Sequence, residues 1–189
     1  MTGGAETGDD EPTVPSRVLL VSGYRASAST AARSIVDHCD GTPASAVGVV
    51  LGDSTAPWTE AFESSGVQTI AIDVDTCTRS TTVSSNSGES ERADSTPASL
   101  SAIGTRVLEA LEGQDTPVVL WIDSLSVLLA HFERERVFRF VHVAGELAAR
   151  RGGTCYLSVS AGRHDPETIE IFGTICNFVR LDDMDDPES

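Results

Sequence analysis

Lysine is absent from this chain of 189 residues: its 13 basic residues are all arginine, set against 29 aspartates and glutamates, for a formal net charge of −16. Other absences narrow the field further. No run approaches the roughly 18 apolar residues of a membrane-spanning helix, so no membrane segment is expected. Residues 1–16 are rich in Gly, Thr and Asp and lack the cationic, apolar character of a signal peptide. The four cysteines (Cys39, Cys77, Cys155, Cys176) form no C-x-x-C pair, and three fall in or beside apolar segments. They read as buried thiols of a reducing cytosol rather than as metal ligands. The histidines (His38, His131, His142, His164) show no ligand spacing, and His164-Asp165 reads as loop and N-cap chemistry. No G-x-S-x-G elbow occurs, which removes the serine-hydrolase reading. A phosphoacceptor receiver domain would need clustered acidic residues after the first strand and a late lysine; neither is present.

The charge that is present has consequences of its own. Self-repulsion at −16 destabilises a compact state in dilute buffer, and molar salt screens it because the Debye length falls to about 3 Å at 1 M. Short carboxylates bind water and cations well, whereas lysine adds a long apolar stem. The composition is that of a protein adapted to a salt-saturated cytoplasm. Acidity also argues against nucleic acid, whose binding depends on phosphate neutralisation, and against anionic membrane surfaces. Five arginines gather in one segment (Arg134, Arg136, Arg139, Arg150, Arg151), but Glu133, Glu135 and Glu146 interleave with them. The spacing of Glu135 with Arg139 and of Glu146 with Arg150 predicts a self-paired, solvated helix face.

Along the chain, short apolar runs alternate with amphipathic stretches. Strands are expected at Arg17–Ser22, Val47–Leu51, Thr69–Val74, Val118–Ile122, Thr154–Ser160 and Cys176–Leu181. Helices are expected at Ser29–Cys39, Thr55–Ser64, from Thr96-Pro97 to near Gly113, at Glu133–Arg151, and from Asp165-Pro166 through Phe172. The third carries Leu100, Ile103, Val107, Leu108 and Leu111 on one face. The fourth is predicted to bury Val137, Phe140, Val141, Ala144, Leu147 and Ala148 and to stop at Gly152-Gly153. Residues 76–95 lose all apolar periodicity and read as a disordered insertion. The domain organisation expected is a disordered arm at 1–16, one domain over 17–182, and an acidic tail at 183–189. Continuous apolar strands between amphipathic helices imply an α/β three-layer sandwich with a mainly parallel central sheet.

In such sheets ligands sit at the carboxyl ends of strands. The first turn, from Gly23 to Thr30, aligns without a gap to the phosphate-binding pattern G-x-x-x-x-G-K-[ST]. Gly23 takes the first glycine, Ala28 the second, Ser29 the lysine place and Thr30 the magnesium-binding hydroxyl. Asp123 ends the apolar strand VVLWID, as a magnesium-holding carboxylate does in phosphate-loop enzymes. Gly52-Asp53 places another carboxylate at the same edge. A turn or N-cap role accounts for either aspartate taken alone.

The order of elements, with VVLWIDSLSVLL, FRFVHVAGELAARRGGTCYLSVS and IFGTICNFVRLD, resembles the RecA/KaiC-like ATPase core over residues 17–182. The likeness is nearest to small divergent versions from salt-loving archaea, and it implies a RecA-like P-loop NTPase fold. It implies a nucleotide site built from Gly23, Ser29, Thr30 and Asp123, with magnesium held by Thr30 and Asp123 if Mg-ATP binds. Gly52-Asp53 falls where KaiC-like members carry paired catalytic glutamates, leaving Asp53 as the remaining catalytic candidate.

The departures from that family agree with one another. Ser29 replaces the lysine, Ala28 the flexible glycine, and Gly52 and the shorter Asp53 the two glutamates. A base must come within about 3 Å of the water it activates, and a one-carbon retreat can forfeit that reach. Arg25 is the only nearby cation in the loop, and pairing with a carboxylate is the simpler role for it. Two readings stand: a catalytically degenerate domain acting on protein partners or by self-association in a cytoplasmic, salt-rich setting, or a slow ATPase with a non-standard phosphate loop. The composition generates a test of its own. Urea unfolding midpoints should fall steadily as KCl is lowered from molar to about 50 mM, and undiminished stability at the low end would contradict the screening argument.

Overall fold

The computed structural model describes residues 17–22, 27–39, 45–51, 55–74, 99–114, 117–176 and 178–182. The expected arm at 1–16, the whole of the 76–95 insertion and the tail at 183–189 lie outside the described residues. Six strands form one sheet: β1 (Arg17–Ser22), β2 (Ser45–Val50), β3 (Gln68–Asp73), β4 (Val118–Asp123), β5 (Thr154–Ser160) and β6 (Phe178–Asp182). The helices are α1 (Ala28–His38), α2 (Ala56–Glu63), α3 (Leu100–Glu112), α4 (Leu125–His131), α5 (Arg134–Arg150) and α6 (Pro166–Gly173). The strand order is β3-β2-β4-β5-β1-β6 and every neighbouring pair is parallel. Both faces are covered, which is why β2 and β4 read as unbroken apolar runs rather than alternating ones.

Side-chain alternation divides the interior in two. Leu19, Val21, Val47, Leu120, Ile122, Cys155 and Leu157 face α3, α4, α5 and α6, and pack with Ile103, Leu128, Val141 and Phe172. Val18, Leu20, Val50, Val119, Trp121 and Tyr156 face α1 and α2, against Ala32, Ile35, Trp58 and Phe62. The architecture is an α/β three-layer sandwich.

Several boundaries differ from the sequence expectation, each for a local reason. Ser99 caps α3, its hydroxyl accepting the Ala102 N–H at 3.2 Å, so the described helix opens at Leu100 rather than at Thr96-Pro97, which lies outside the described residues. Leu108 lies off the buried stripe of that helix and is 39 % exposed. In α5, Phe140 and Leu147 are half-buried at the margin of the apolar face, while Gly145 is buried within it. The short helix α4 was not anticipated, because seven residues are too few to display a helical period. The stop at Gly152 holds: the residue adopts φ 65° and its N–H bonds to the Ala149 carbonyl at 2.9 Å.

The expected Glu146–Arg150 pair is replaced by a longer-range one. Glu146 pairs with Arg17, at the start of β1. The Arg17 guanidinium also donates to the Ile175 carbonyl at 2.9 Å and lies 3.3 Å from His142 Nδ1. Its stem runs over Gly145, where a Cβ would come within 2.5 Å of Arg17 Cδ. One arginine thus ties β1, α5 and the turn before β6 together at the amino end of the sheet. Elsewhere on α5, Arg139 bonds to the backbone carbonyl of Glu135 at 3.4 Å, and Arg134 reaches Glu167 of α6 at 3.8 Å.

On the opposite face Trp121 stacks on Trp58 and Phe62, with ring centroids 5.0 and 4.5 Å apart. Gly48 of the neighbouring strand leaves the room for that indole, since a Cβ there would fall inside the Trp121 ring. Trp121 is 1 % exposed and cannot swing outward. Gly48→Ala should therefore destabilise the fold by about 3 kcal/mol, the upper end of ordinary overpacking. Denaturant unfolding followed by tryptophan fluorescence reads both the loss and the disturbed stack.

Candidate functional site

Polar residues collect where the buried strands reach their carboxyl ends. On β1, β4 and β5 the pleat places Ser22, Asp123 and Ser158 on the face covered by α1 and α2, in line with Leu20, Trp121 and Tyr156. Ile122 is in register with Leu157, so the next pair along is Asp123 and Ser158. The Ser158 hydroxyl donates to Asp123 Oδ1 at 2.8 Å, and the Asp123 carbonyl accepts the Leu51 N–H at 2.8 Å. Asp123 is 4 % exposed, a burial that a carboxylate sustains only with such partners. The Asp123–Ser124 peptide is cis.

The amino end of α1 supplies the second group. Ser27 is its N-cap: the Ser27 Oγ accepts the Thr30 N–H at 3.2 Å. The same hydroxyl lies 2.9 Å from Thr30 Oγ1 and 3.1 Å from Ser29 Oγ. The residue in the lysine place of the phosphate pattern therefore belongs to a three-hydroxyl capping cluster. Among the described residues, the first turn of α1 carries no cation. Arg33, one turn on, directs its Nε to the Ser29 carbonyl at 3.4 Å. Of the residues singled out from the sequence, Ser29, Thr30 and Asp123 are thus placed at the carboxyl-end edge of the sheet. Gly23, Arg25, Gly52 and Asp53 lie outside the described residues. Among the described residues no cluster of three or more His, Cys, Asp or Glu could hold a metal.

Helix α4 opens a third polar group that sequence reasoning missed. Ser126, in its first turn, is 3 % exposed. Its Oγ accepts the Ser160 N–H at 3.0 Å and lies 2.9 Å from His164 Nε2. The hydroxyl keeps one proton and one lone pair for the imidazole, so the tautomer of His164 decides which of the two donates. Burial lowers the His164 pKa below its ordinary value; neighbouring Asp165 opposes the shift and Arg163 adds to it. Asp165 caps α6, accepting the Thr168 N–H at 2.8 Å and the Thr168 hydroxyl at 3.0 Å, and these bonds hold its own pKa low. The loop and N-cap reading of His164-Asp165 therefore describes Asp165, while His164 turns the other way, to Ser126. The available signal was Ser158 and Ser160 within a central strand, where every hydroxyl needs a partner.

Among the described residues, two thiols and a phenol also have displaced pKa values. Cys155 is buried and its pKa is driven well up by burial, with Cys176 nearby adding to the shift. Cys176, half-buried, is pushed up by burial to about 11. Tyr156 is raised by burial and by Cys39, whose Sγ lies 3.8 Å from the phenol oxygen. Cys77 lies outside the described residues.

The burial of His164 sets a pH dependence. A histidine whose folded pKa lies below its unfolded value adds stability above the unfolded pKa of about 6.5, and that stability is lost as pH falls from there through the lower folded pKa. Unfolding free energy should decline as pH falls below about 6.5, and His164→Gln should flatten this part of the profile in chemical denaturation. An unchanged slope in the variant would assign the decline to other groups.

Comparison with known proteins adds a family and a distant structural likeness. Among solved structures, the flagellar accessory protein FlaH from Methanocaldococcus jannaschii resembles the chain with a TM-score of 0.45 and 11% identity, over 88% of this chain and 71% of that one. No curated protein matches the chain. A family model does, over residues 15–179, which takes in β1 to β5, the start of β6 and the helices on both faces of the sheet. The chain belongs to the family of unknown function DUF7504.

Proposed function

We propose that the chain is a catalytically degenerate RecA/KaiC-like domain that acts as a regulatory or protein-interaction module in a salt-rich cytosol. The observation that carries this reading is the Ser27–Ser29–Thr30 cluster: the position that should bear the phosphate-neutralising charge holds a hydroxyl engaged in the helix cap. Losing the lysine removes a large electrostatic contribution at a transferring phosphate, where each 1.36 kcal/mol is tenfold in rate. Asp123 adds to it. Its carboxylate is buried and receives the Ser158 hydroxyl, a partner that a magnesium-bound water would have to share. On this reading no catalytic step is assigned to Ser29, Thr30 or Asp123.

The second reading, a nucleotide-binding and slowly hydrolysing ATPase, is favoured by one feature. Thr30 in the first turn of α1, the helix that covers this face, and Asp123 on the face itself keep the positions that would hold Mg-ATP. Catalysis there would fall to Asp53. Thermal unfolding in molar KCl with and without Mg-ATP separates the two readings. A ligand at 100 times its dissociation constant adds about 2.7 kcal/mol, a rise of several degrees. No shift is expected at millimolar nucleotide. A magnesium-dependent shift abolished by Asp123→Asn would overturn the degenerate reading in favour of the second.

A further inference from the structure

We propose that the acidic segment 183–189 docks back onto its own chain, in the groove between α5 and α6. The regulatory role proposed above gains a segment and a surface in this way, while the docking itself does not depend on the state of the nucleotide site. The groove has a volume of about 380 Å³ and is lined by Arg134, Glu135, Phe138 and Arg139 of α5 and by Ile171 of α6. Phe138 and Ile171, both half-buried, are its apolar members. Its two cations are loosely engaged. Among the described residues the Arg139 guanidinium bonds through Nε alone, to the Glu135 carbonyl at 3.4 Å. Arg134 reaches the Thr168 hydroxyl at 3.5 Å and the exposed Glu167 carboxylate at 3.8 Å, both long for contacts of their kind. The groove therefore offers two guanidiniums beside an apolar surface, against one carboxylate of its own.

The sequence of 183–189, DMDDPES, complements that surface: Asp183, Asp185, Asp186 and Glu188 meet no cation within it, and Met184 is its long apolar side chain. In extended backbone Met184 and Asp186 share one side. A thioether can then lie on the Phe138 ring while a carboxylate meets an arginine. The place of attachment selects this segment over other acidic chains. Strand β6 runs parallel to β1, so it delivers the chain to the carboxyl edge of the sheet, where α5 and α6 both begin. Arg134, Glu135, Phe138 and Arg139 all fall in the amino-terminal third of α5. Helix α6 carries the chain from β5 past β1 to β6, so the segment starts about one helix diameter, roughly 10 Å, from the groove. Seven residues span up to about 23 Å, which covers that distance. The arm at 1–16 is also acidic, but it leads into β1 at the opposite edge of the sheet. Molar salt screens attraction beyond about 3 Å, so docking rests on contact pairs and on Met184. Such pairs are individually weak. A short tether offsets this by holding the segment at about millimolar effective concentration, ahead of a free acidic partner.

Heteronuclear NMR of the full chain and of a chain ended after Asp182, both in molar KCl, tests the proposal; the shorter chain keeps every described element. The amide signals of Arg134, Phe138, Arg139 and Ile171 should move on truncation. In the full chain the amides of 183–189 should exchange at least about fivefold more slowly than in a free peptide of that sequence. The double variant Arg134→Glu/Arg139→Glu, checked for folding by circular dichroism, should return that exchange to the free-peptide rate. Signals unmoved at all four positions, or free-peptide exchange in the unsubstituted full chain, would overturn the proposal. So would slow exchange that persists in the folded double variant. Signals that move only when residues 1–16 are removed would overturn it in favour of the arm. Should the double variant not fold, Met184→Ser in the full chain takes its place: the Phe138 and Ile171 signals should shift toward those of the truncated chain, and signals that stay in place refute the docking. None of these outcomes bears on the nucleotide site, which the Mg-ATP thermal shift decides separately.

Discussion

A parallel sheet must be buried on both faces, because each strand is returned to its start by a helix that lies across it. That requirement organises the molecule. It makes β2 and β4 apolar throughout, and it assigns α1 and α2 to one face and α3, α4, α5 and α6 to the other. The cost is space between layers, met at two points by glycine. Gly48 admits the Trp121 indole, and Gly145 admits the stem of Arg17. In the second case the fit also brings a charge inward, so Arg17 needs Glu146, the Ile175 carbonyl and His142 around it.

The same requirement concentrates polar chemistry at one edge. Strands buried along their length can carry hydroxyls and carboxylates only where they emerge, and there each group must find a partner. Asp123 finds Ser158, Ser126 finds the Ser160 amide and His164, and Thr30 finds Ser27. The first ties the ends of two adjacent strands, the second joins α4 to the end of β5 and the turn beyond it, and the third closes a helix cap.

Much of this was legible from residue order. The six strands and the helices α1, α2, α3, α5 and α6 follow from apolar runs, periodicity and terminators such as Gly152. Asp123 was legible because it ends the most apolar strand. What escaped was of two kinds. Helix α4 is shorter than two periods, and the start of α3 turned on a cap at Ser99 that competes with the Thr-Pro pair just before it. Partnerships escaped as well, since sequence spacing sees only neighbours on one element. Glu146 lies four residues from Arg150 but chooses Arg17, because Arg17 is largely buried and an exposed helix pair is worth only about 0.3–0.5 kcal/mol. Ser126 and His164 are far apart in the chain and meet only because β4 and β5 are adjacent.

The missing lysine bears on the proposed reading in a limited way. Set against the phosphate-binding pattern, Ser29 stands in the lysine place, and Ala28, Gly52 and Asp53 differ from the family pattern without any charge of that sign to lose. A bias against lysine explains the first difference and none of the others, so composition alone does not account for the sequence of this edge.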